Sequence, residues 1–144
     1  MQKDEVIKEI NNVNAEFYHA FENLSIEKMD KLWKHDEDVV CIHPGWDVFR
    51  GWIAVQESWI TIFSNTDRIK FVITNTKIRI YDNNIAVVVC LENIETNLEN
   101  SQIIKIGVNA TNIFEKNEQN NKWLLVHHHS SPISNYIPPN ISSQ

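Results

Sequence analysis

The sequence predicts an α+β domain in which three N-terminal helices pack into a strongly curved antiparallel sheet. Apolar residues recur at helical spacing up to about residue 64, the period changes to two from Asp67 onward, and no repeat or linker divides the 144 residues. A chain of this length can bury a full core without disulfides or metals. We therefore expect one domain over residues 1–134 and an extended, loosely held C-terminal tail over residues 135–144.

Three segments carry the helical pattern. In residues 4–23 apolar positions recur every three or four residues, and polar residues fall on the opposite face. Ser25 then suits the N-cap of a second, shorter helix, because its hydroxyl can accept a hydrogen bond from the first turn. A third helix, from about Gly51 to Ser64, is apolar nearly all round, and we expect it to be mostly buried.

The second half of the chain has strand periodicity. A short strand at residues 39–42 comes first, between the second and third helices. Between residues 69 and 80 the apolar positions change parity, which predicts a β-bulge near Asn75 that bends the sheet. Asp82 opens a predicted turn. Three more strands are predicted at residues 85–94, 102–115 and 123–131.

Charge and composition exclude several classes of function. The formal net charge is −6 and the 13 basic residues are scattered, whereas a nucleic-acid surface needs clustered Lys and Arg. No apolar run approaches the roughly 20 residues of a membrane span, and the N-terminus lacks the order of a signal peptide. Cys41 and Cys90 lie in apolar strand-like runs, so we expect reduced core thiols in a cytoplasmic protein with no nucleic-acid or membrane partner.

Three motifs resemble the NTF2-like superfamily, and within it the SnoaL-like proteins. They are CIHPGWxxxxG at residues 41–51, the SW pair at residues 58–59 and the ending WLLVHHHSSP at residues 123–132. The last strand is also similar to the association domain of calcium/calmodulin-dependent kinase II. The resemblance covers residues 4–134 and implies a cone-shaped domain, a homodimer formed through the outer sheet face, and a pocket for a small-molecule ligand at the open end.

His43 is the first catalytic candidate. It ends a predicted strand just before a Pro-Gly break, where a side chain can point into a pocket mouth. Its imidazole has a pKa near neutrality and can both accept and donate protons. The resemblance places it where ketosteroid isomerases carry their aspartate base. The alternative is that His43 only holds the turn through backbone hydrogen bonds.

Two further catalytic candidates are His127 and His129, which strand alternation places on one face, with His128 on the other. Trp123 and Leu125 share the parity of His127 and His129, which favours an apolar, partly buried setting for that pair. The pattern leaves open which face looks inward, and all three histidines could be structural.

The three candidate histidines could instead form a metal site. His43, His127 and His129 could supply three nitrogen ligands for zinc, but such a site also needs carboxylates that orient the imidazoles. Domains of the NTF2-like superfamily rarely hold metals, so we expect neither a metal nor a cofactor.

Six other residues are candidates for the lining of the ligand pocket. Glu92 and Asn112 interrupt apolar strand faces, so each needs a polar partner, and burial would raise the pKa of Glu92. Aromatic residues could form the walls, although such residues are more often core, and Trp46 is the strongest of them because it lies in a loop. The aromatic candidates are Tyr18, Trp46, Trp59 and Phe63.

Two functions remain open at this point. The histidines favour a small-molecule-binding, cofactor-independent acid–base enzyme of the isomerase, cyclase or dehydratase type. The resemblance would place the phenolic donor of ketosteroid isomerases near Phe17, which has no hydroxyl, and Tyr18 lies about 100° away around the helix. That departure favours a non-catalytic dimerisation or ligand-binding module like the kinase association domain.

Overall fold

Three helices and six strands make up the computed structural model, which describes residues 2–140. The elements in chain order are α1 Gln2–Glu22, α2 Ile26–Leu32, β1 Val40–Ile42, β2 Phe49–Arg50, α3 Trp52–Ser64, β3 Ile69–Tyr81, β4 Ile85–Asn97, β5 Ile103–Lys116 and β6 Trp123–Pro132. This confirms the predicted α+β class, with the three helices on the inner face of one curved sheet. No helix within the described range has the length and apolar character to cross a membrane.

The helix boundaries follow local chemistry. Ser25 is the N-cap of α2, and its Oγ accepts a hydrogen bond from the Lys28 backbone N–H at 3.1 Å, as predicted. The expectation that α3 is mostly buried is wrong, because Ile53 is 76% exposed and only one face of the helix reaches the core. α3 packs against α2 and against the hairpin of β1 and β2.

The sheet has the strand order β2-β1-β6-β5-β4-β3. The four long strands are antiparallel to their neighbours, and β1 adds to β6 in parallel. The register between β3 and β4 shifts between Thr74 and Lys77, and Asn75 has a φ of 56°. The predicted bulge near Asn75 is therefore confirmed, and it bends β3 around the helices.

A second bulge lies in β6, and it was not predicted from sequence. His127 pairs with Ile113 but Leu125 pairs with Phe114, so Val126 is an extra residue in the ladder. The extra residue reverses the alternation of side chains along the strand. Trp123 and Leu125 point inward before the bulge, and His128 is the histidine that points inward after it.

Side chains fill the space between the helices and the sheet. The largest fully buried ones include Phe17, Trp33, Trp59 and Phe114. Cys41 and Cys90 are both buried free thiols, in agreement with the sequence expectation.

The segment after β6 folds back over the outer face of the sheet, where Tyr136 of the predicted tail is held in place, and residues 141–144 of that tail lie outside the described residues. The Tyr136 hydroxyl donates to Asn93 Oδ1 at 2.6 Å, and the Tyr136 ring lies directly on Gly107. Only a glycine leaves room for it, since a Cβ at position 107 would lie 2.0 Å from Tyr136 Cδ1.

Candidate functional site

A chain of hydrogen-bonded polar side chains crosses the core from α1 to the sheet. The Tyr18 hydroxyl donates to Glu92 Oε2 at 2.5 Å. The Asn112 amide donates from Nδ2 to Asn14 Oδ1 at 2.9 Å and to the Tyr18 hydroxyl oxygen at 3.2 Å, and its Oδ1 lies 2.5 Å from His128 Nδ1. We call Asn14, Tyr18, Glu92, Asn112 and His128 the core polar cluster.

Secondary structure brings these five side chains together. Asn14 and Tyr18 are one turn apart on α1, so both project from the same face of that helix. Asn112 and His128 are directly paired across β5 and β6, and Glu92 shares the inner face of β4 with the buried Cys90. All five positions are buried, so every polar group here depends on protein partners.

Burial sets the protonation of the carboxyl and the phenol. Desolvation raises the pKa of Glu92 to about 7, although the hydrogen bond from Tyr18 partly opposes that change. Desolvation, followed by the nearby Glu92, also raises the pKa of Tyr18 well above its ordinary value. At neutral pH the phenol therefore keeps its proton, whereas Glu92 exchanges between its protonated and ionised forms.

The hydrogen bonds also fix the tautomer of His128. Desolvation lowers its pKa well below the ordinary value, so the ring is neutral. Asn112 Oδ1 can only accept a hydrogen bond, and so Nδ1 of His128 carries the proton. Nε2 of the same ring therefore has a free lone pair and can act as an acceptor or a base.

His43 lies in a neighbouring part of the core and is 1% exposed. Its Nε2 is 2.9 Å from Ser58 Oγ on α3, and the Ser58 hydroxyl donates to the Val55 carbonyl at 2.6 Å, so Nε2 is the donor to Ser58. Cys41 Sγ lies 3.6 Å from the same nitrogen. Burial lowers the pKa of His43 to about 4, which makes it a neutral imidazole at physiological pH.

Trp59 connects the two histidine environments. Its ring meets His43 edge-on, with centroids 4.7 Å apart, and its centroid is 5.9 Å from that of His128. The two imidazole centroids are 6.4 Å apart. Within residues 2–140 the buried Trp59 Nε1–H has no hydrogen-bond partner, which leaves one donor for a water or a ligand atom in this region.

The structure brings together five of the nine residues predicted for the site. Tyr18, Glu92 and Asn112 belong to the core polar cluster, while His43 and Trp59 adjoin it. Of the other aromatic candidates, Trp46 is 43% exposed and lies 5.4 Å from the His43 ring between centroids, whereas Phe63 packs on the side of Trp59.

His127 and His129 do not join this group. The bulge at Val126 turns both onto the outer face of the sheet, where His127 is half-buried and His129 exposed. The expectation that they share a face with Trp123 and Leu125 is wrong for that reason. His43, His127 and His129 therefore do not converge on a metal ion, and the described residues contain no cluster of three His, Cys, Asp or Glu side chains that could hold one.

The sequence analysis left open whether His128 faces inward, and it did not select Asn14 or Ser58 as candidates for the site. The spacing of Asn14 one turn before Tyr18 was a usable signal, because it places a second polar group beside the phenol on α1. The side chains of the core polar cluster are buried and pack against the rings of Phe17 and Phe71. A cleft of about 470 Å³ lies elsewhere, beneath the C-terminal tail, and none of the nine predicted residues lines it.

The chain is similar to known proteins in both sequence and structure. Residues 10–135 match the SnoaL-like domain family. A proposed dehydratase of the NTF2-like family from Streptomyces avermitilis is 29% identical, covers 91% of this chain and 98% of its own, and superposes with a TM-score of 0.83. A proposed calcium/calmodulin-dependent protein kinase type II association domain from Thiobacillus denitrificans is 26% identical, covering 85% and 93% of the two chains, with a TM-score of 0.72.

The curated relative F-box protein SKIP8 from Arabidopsis thaliana is 28% identical over 120 residues. The alignment covers 83% of this chain but only 48% of that protein, so the chain spans about half the length of the relative.

Proposed function

This chain belongs to the SnoaL-like domain family of the NTF2-like superfamily, and we propose that it binds a small carbonyl compound and moves protons on it without a cofactor. The reaction would be an isomerisation, a cyclisation or a dehydration. The observation that carries the proposal is the contact between Tyr18 and Glu92, in which a carboxyl with a pKa of about 7 lies 2.5 Å from a phenol inside the core. The relative described as a proposed dehydratase is consistent with that class of reaction.

The stability cost of the core polar cluster supports a functional role. The Glu92 carboxyl is 2% exposed, and no cationic group is among its hydrogen-bond partners. Removing it from water costs free energy, and an apolar side chain of similar volume would have no such cost. Natural proteins keep a destabilising buried polar group mainly where their function requires it. Strongly shifted pKa values are likewise concentrated at functional sites.

The two groups have complementary chemistry. An ionised Glu92 can take a proton from the carbon next to a carbonyl group and return it to another carbon, since its pKa lies close to neutral pH. When a ligand enters between the two side chains, the Tyr18 hydroxyl can turn its single donor from Glu92 to the carbonyl oxygen as negative charge develops there. Asn112 holds the phenol in place, and His128 in turn orients Asn112.

Access to this cluster requires side chains to move. Trp46 and Phe49 cover His43, with ring centroids 5.4 and 5.9 Å from the imidazole. Trp46 lies in the loop between β1 and β2 and is partly exposed, so its displacement would open the core beside His43. In this proposal the neutral His43 lines the entry and offers its Nδ1 lone pair to the ligand.

A thermal-shift screen of small ketones, hydroxy acids and lactones tests the proposal. We expect a compound that raises the melting temperature of the wild type and of the outer-face control His129→Gln, but not of Glu92→Gln, because ligand binding to the native state stabilises it. The same compound should gain solvent deuterium in the presence of the wild type and of His129→Gln, but not of Glu92→Gln. Equal shifts for Glu92→Gln, with no deuterium uptake, would contradict the proposal.

A non-catalytic dimerisation module is the second candidate, and the outer sheet face favours it. Val89 is 46% exposed at the centre of that face, with Val87, Leu91 and Ile113 beside it. The similarity to a proposed kinase association domain also supports assembly, and we propose a homodimer through this face. Light scattering after gel filtration should give twice the chain mass for the wild type and one chain mass for Val89→Glu. The control Ile53→Glu, which is exposed on α3 away from this face, should keep the wild-type mass.

A further inference from the structure

We propose that the cleft beneath the C-terminal tail is a second binding site, which takes an amphipathic carboxylate with an apolar body. It lies at the β3 edge of the sheet and is lined by no residue of the core polar cluster, so the proposal does not rest on the proton chemistry proposed there. Its volume of about 470 Å³ is within the range of about 300–1,000 Å³ that small-molecule sites occupy. We call it the tail cleft.

The walls of the tail cleft are largely apolar. Tyr136, Pro138 and Pro139 of the tail form one wall, Val72 lies on the outer face of the edge strand β3, and Phe71 reaches the cleft from the inner face of the same strand. The Tyr136 ring is fixed at both ends, by its contact with Gly107 and by the hydrogen bond from its hydroxyl to Asn93. The tail thus covers this part of the sheet, and a flat or linear apolar group could enter the tail cleft from the side.

The tail cleft also carries a local excess of positive charge in a chain whose net charge is −6. Lys70, Glu95 and Lys105 are directly paired in register across β3, β4 and β5. Glu95 is bound by Arg68, with Nη2 and Oε2 2.8 Å apart. The Lys70 and Lys105 ammonium groups therefore flank one carboxylate that is already paired, and neither forms an ion pair within 4.0 Å among residues 2–140.

The other carboxylate of the lining is also engaged. Glu22 Oε2 accepts a hydrogen bond from the Phe71 backbone N–H at 2.8 Å, which satisfies a donor of the edge strand. Strands two apart in a sheet are separated by roughly 10 Å, so two lysine side chains on the same face can converge on a single anionic head group. The chemistry recognised is therefore one carboxylate at the two lysines, with its apolar body against Tyr136.

Isothermal titration with octanoate and 2-naphthoate tests this site. We expect both to bind the wild type and Lys77→Gln, a β3 variant outside the tail cleft, and to bind Lys70→Gln/Lys105→Gln roughly tenfold more weakly. Glu95→Gln should strengthen binding, since it removes the competing carboxylate. The affinity of the wild type for the neutral 1-octanol should be no higher than the affinity of the double variant for octanoate.

Two results would overturn the proposal: equal octanoate affinity in the double variant and the wild type, or no binding of either carboxylate at millimolar concentration. Glu92→Gln should bind octanoate as the wild type does. A loss of octanoate binding in Glu92→Gln alone would place the anion in the core instead, so failure of this site can be told apart from failure of the proton chemistry.

Discussion

The Tyr18 hydroxyl and the Glu92 carboxyl meet at 2.5 Å across the core, although the two residues are 74 positions apart in sequence. Tyr18 comes from α1 and Glu92 from β4, so the contact exists only when the helix is docked into the curved sheet. Both pKa values are raised by burial, which keeps the phenol neutral and brings Glu92 to about 7. At neutral pH the phenol therefore remains the hydrogen-bond donor, while the carboxyl that accepts from it is partly ionised.

Removing the phenolic hydroxyl should destabilise the protein by an amount that depends on pH. In Tyr18→Phe, Glu92 Oε2 loses its donor, and a buried group without its partner costs about 1–3 kcal/mol. The loss should be larger at pH 8, where Glu92 is ionised, than at pH 5. Urea unfolding at both pH values measures it, with the exposed Tyr81→Phe as the control. Equal losses at the two pH values would contradict this prediction.

The titrations of Glu92 and of His43 should change the free energy of unfolding in opposite directions as the pH rises. Glu92 keeps a proton in the folded state that it releases in the unfolded state between pH 4.5 and about 7, so its contribution to the free energy of unfolding falls as pH rises through that range. His43 holds fewer protons in the folded than in the unfolded state between about pH 4 and 6.5, so its contribution rises with pH there. In the wild type the two trends partly cancel.

Glu92→Gln separates the two trends. Without the carboxyl, the free energy of unfolding should rise with pH more steeply than in the wild type, and the variant should gain about 3 kcal/mol relative to the wild type between pH 4.5 and 7. Chemical denaturation at half-unit pH intervals measures the difference. Parallel pH profiles for the two proteins would show that Glu92 titrates at its ordinary value.

His128 and His129 should differ strongly in their contribution to the free energy of unfolding. His128→Ala removes a buried ring and the partner of Asn112 Oδ1, and we expect a loss of about 3 kcal/mol in the free energy of unfolding. His129→Ala lies on the exposed outer face and should change the stability by no more than about 0.5 kcal/mol. Thermal unfolding of both variants tests this, and the reverse order would contradict the position of the bulge at Val126.

Gly107→Ala should release the C-terminal tail. The added Cβ would lie 2.0 Å from Tyr136 Cδ1, so the ring must leave the sheet and the hydrogen bond to Asn93 must break. Cleavage by chymotrypsin after Tyr136 should become faster than in the wild type. Asn109→Ala, which is exposed on the same face of β5, should leave the cleavage rate unchanged. Slow cleavage in Gly107→Ala would mean that the tail is held by contacts other than those of Tyr136.

The fold could be predicted from sequence because its signals are local. Helical spacing before residue 64, the capping Ser25 and the change of parity around Asn75 each determine backbone geometry within a few residues. The bulge in β6 gave no such signal, because Leu124, Leu125 and Val126 are all apolar and any parity fits them. That one extra residue decided which histidines face the core, so the sequence predicted histidines at the site but selected the wrong pair.

The polar cluster was only partly predictable for a related reason. Glu92 and Asn112 could be identified, since each interrupts an apolar strand face. Their partners come from α1, and the rotation of that helix about its axis is set by packing against Phe71 and Trp59, which strand and helix periodicity do not determine. Helix periodicity alone therefore did not predict that Tyr18, rather than Phe17, would point toward the cluster.

Direct titration of the Glu92 carboxyl by ¹³C NMR, with the signal assigned through Glu92→Gln, tests most directly whether the core polar cluster exchanges a proton at neutral pH. We expect a midpoint near pH 7, displaced further upward in Tyr18→Phe because the stabilising hydrogen bond is lost. A midpoint near the ordinary value of 4.5 would contradict it, since the carboxyl would then be ionised throughout the neutral range and would exchange no proton with solvent there.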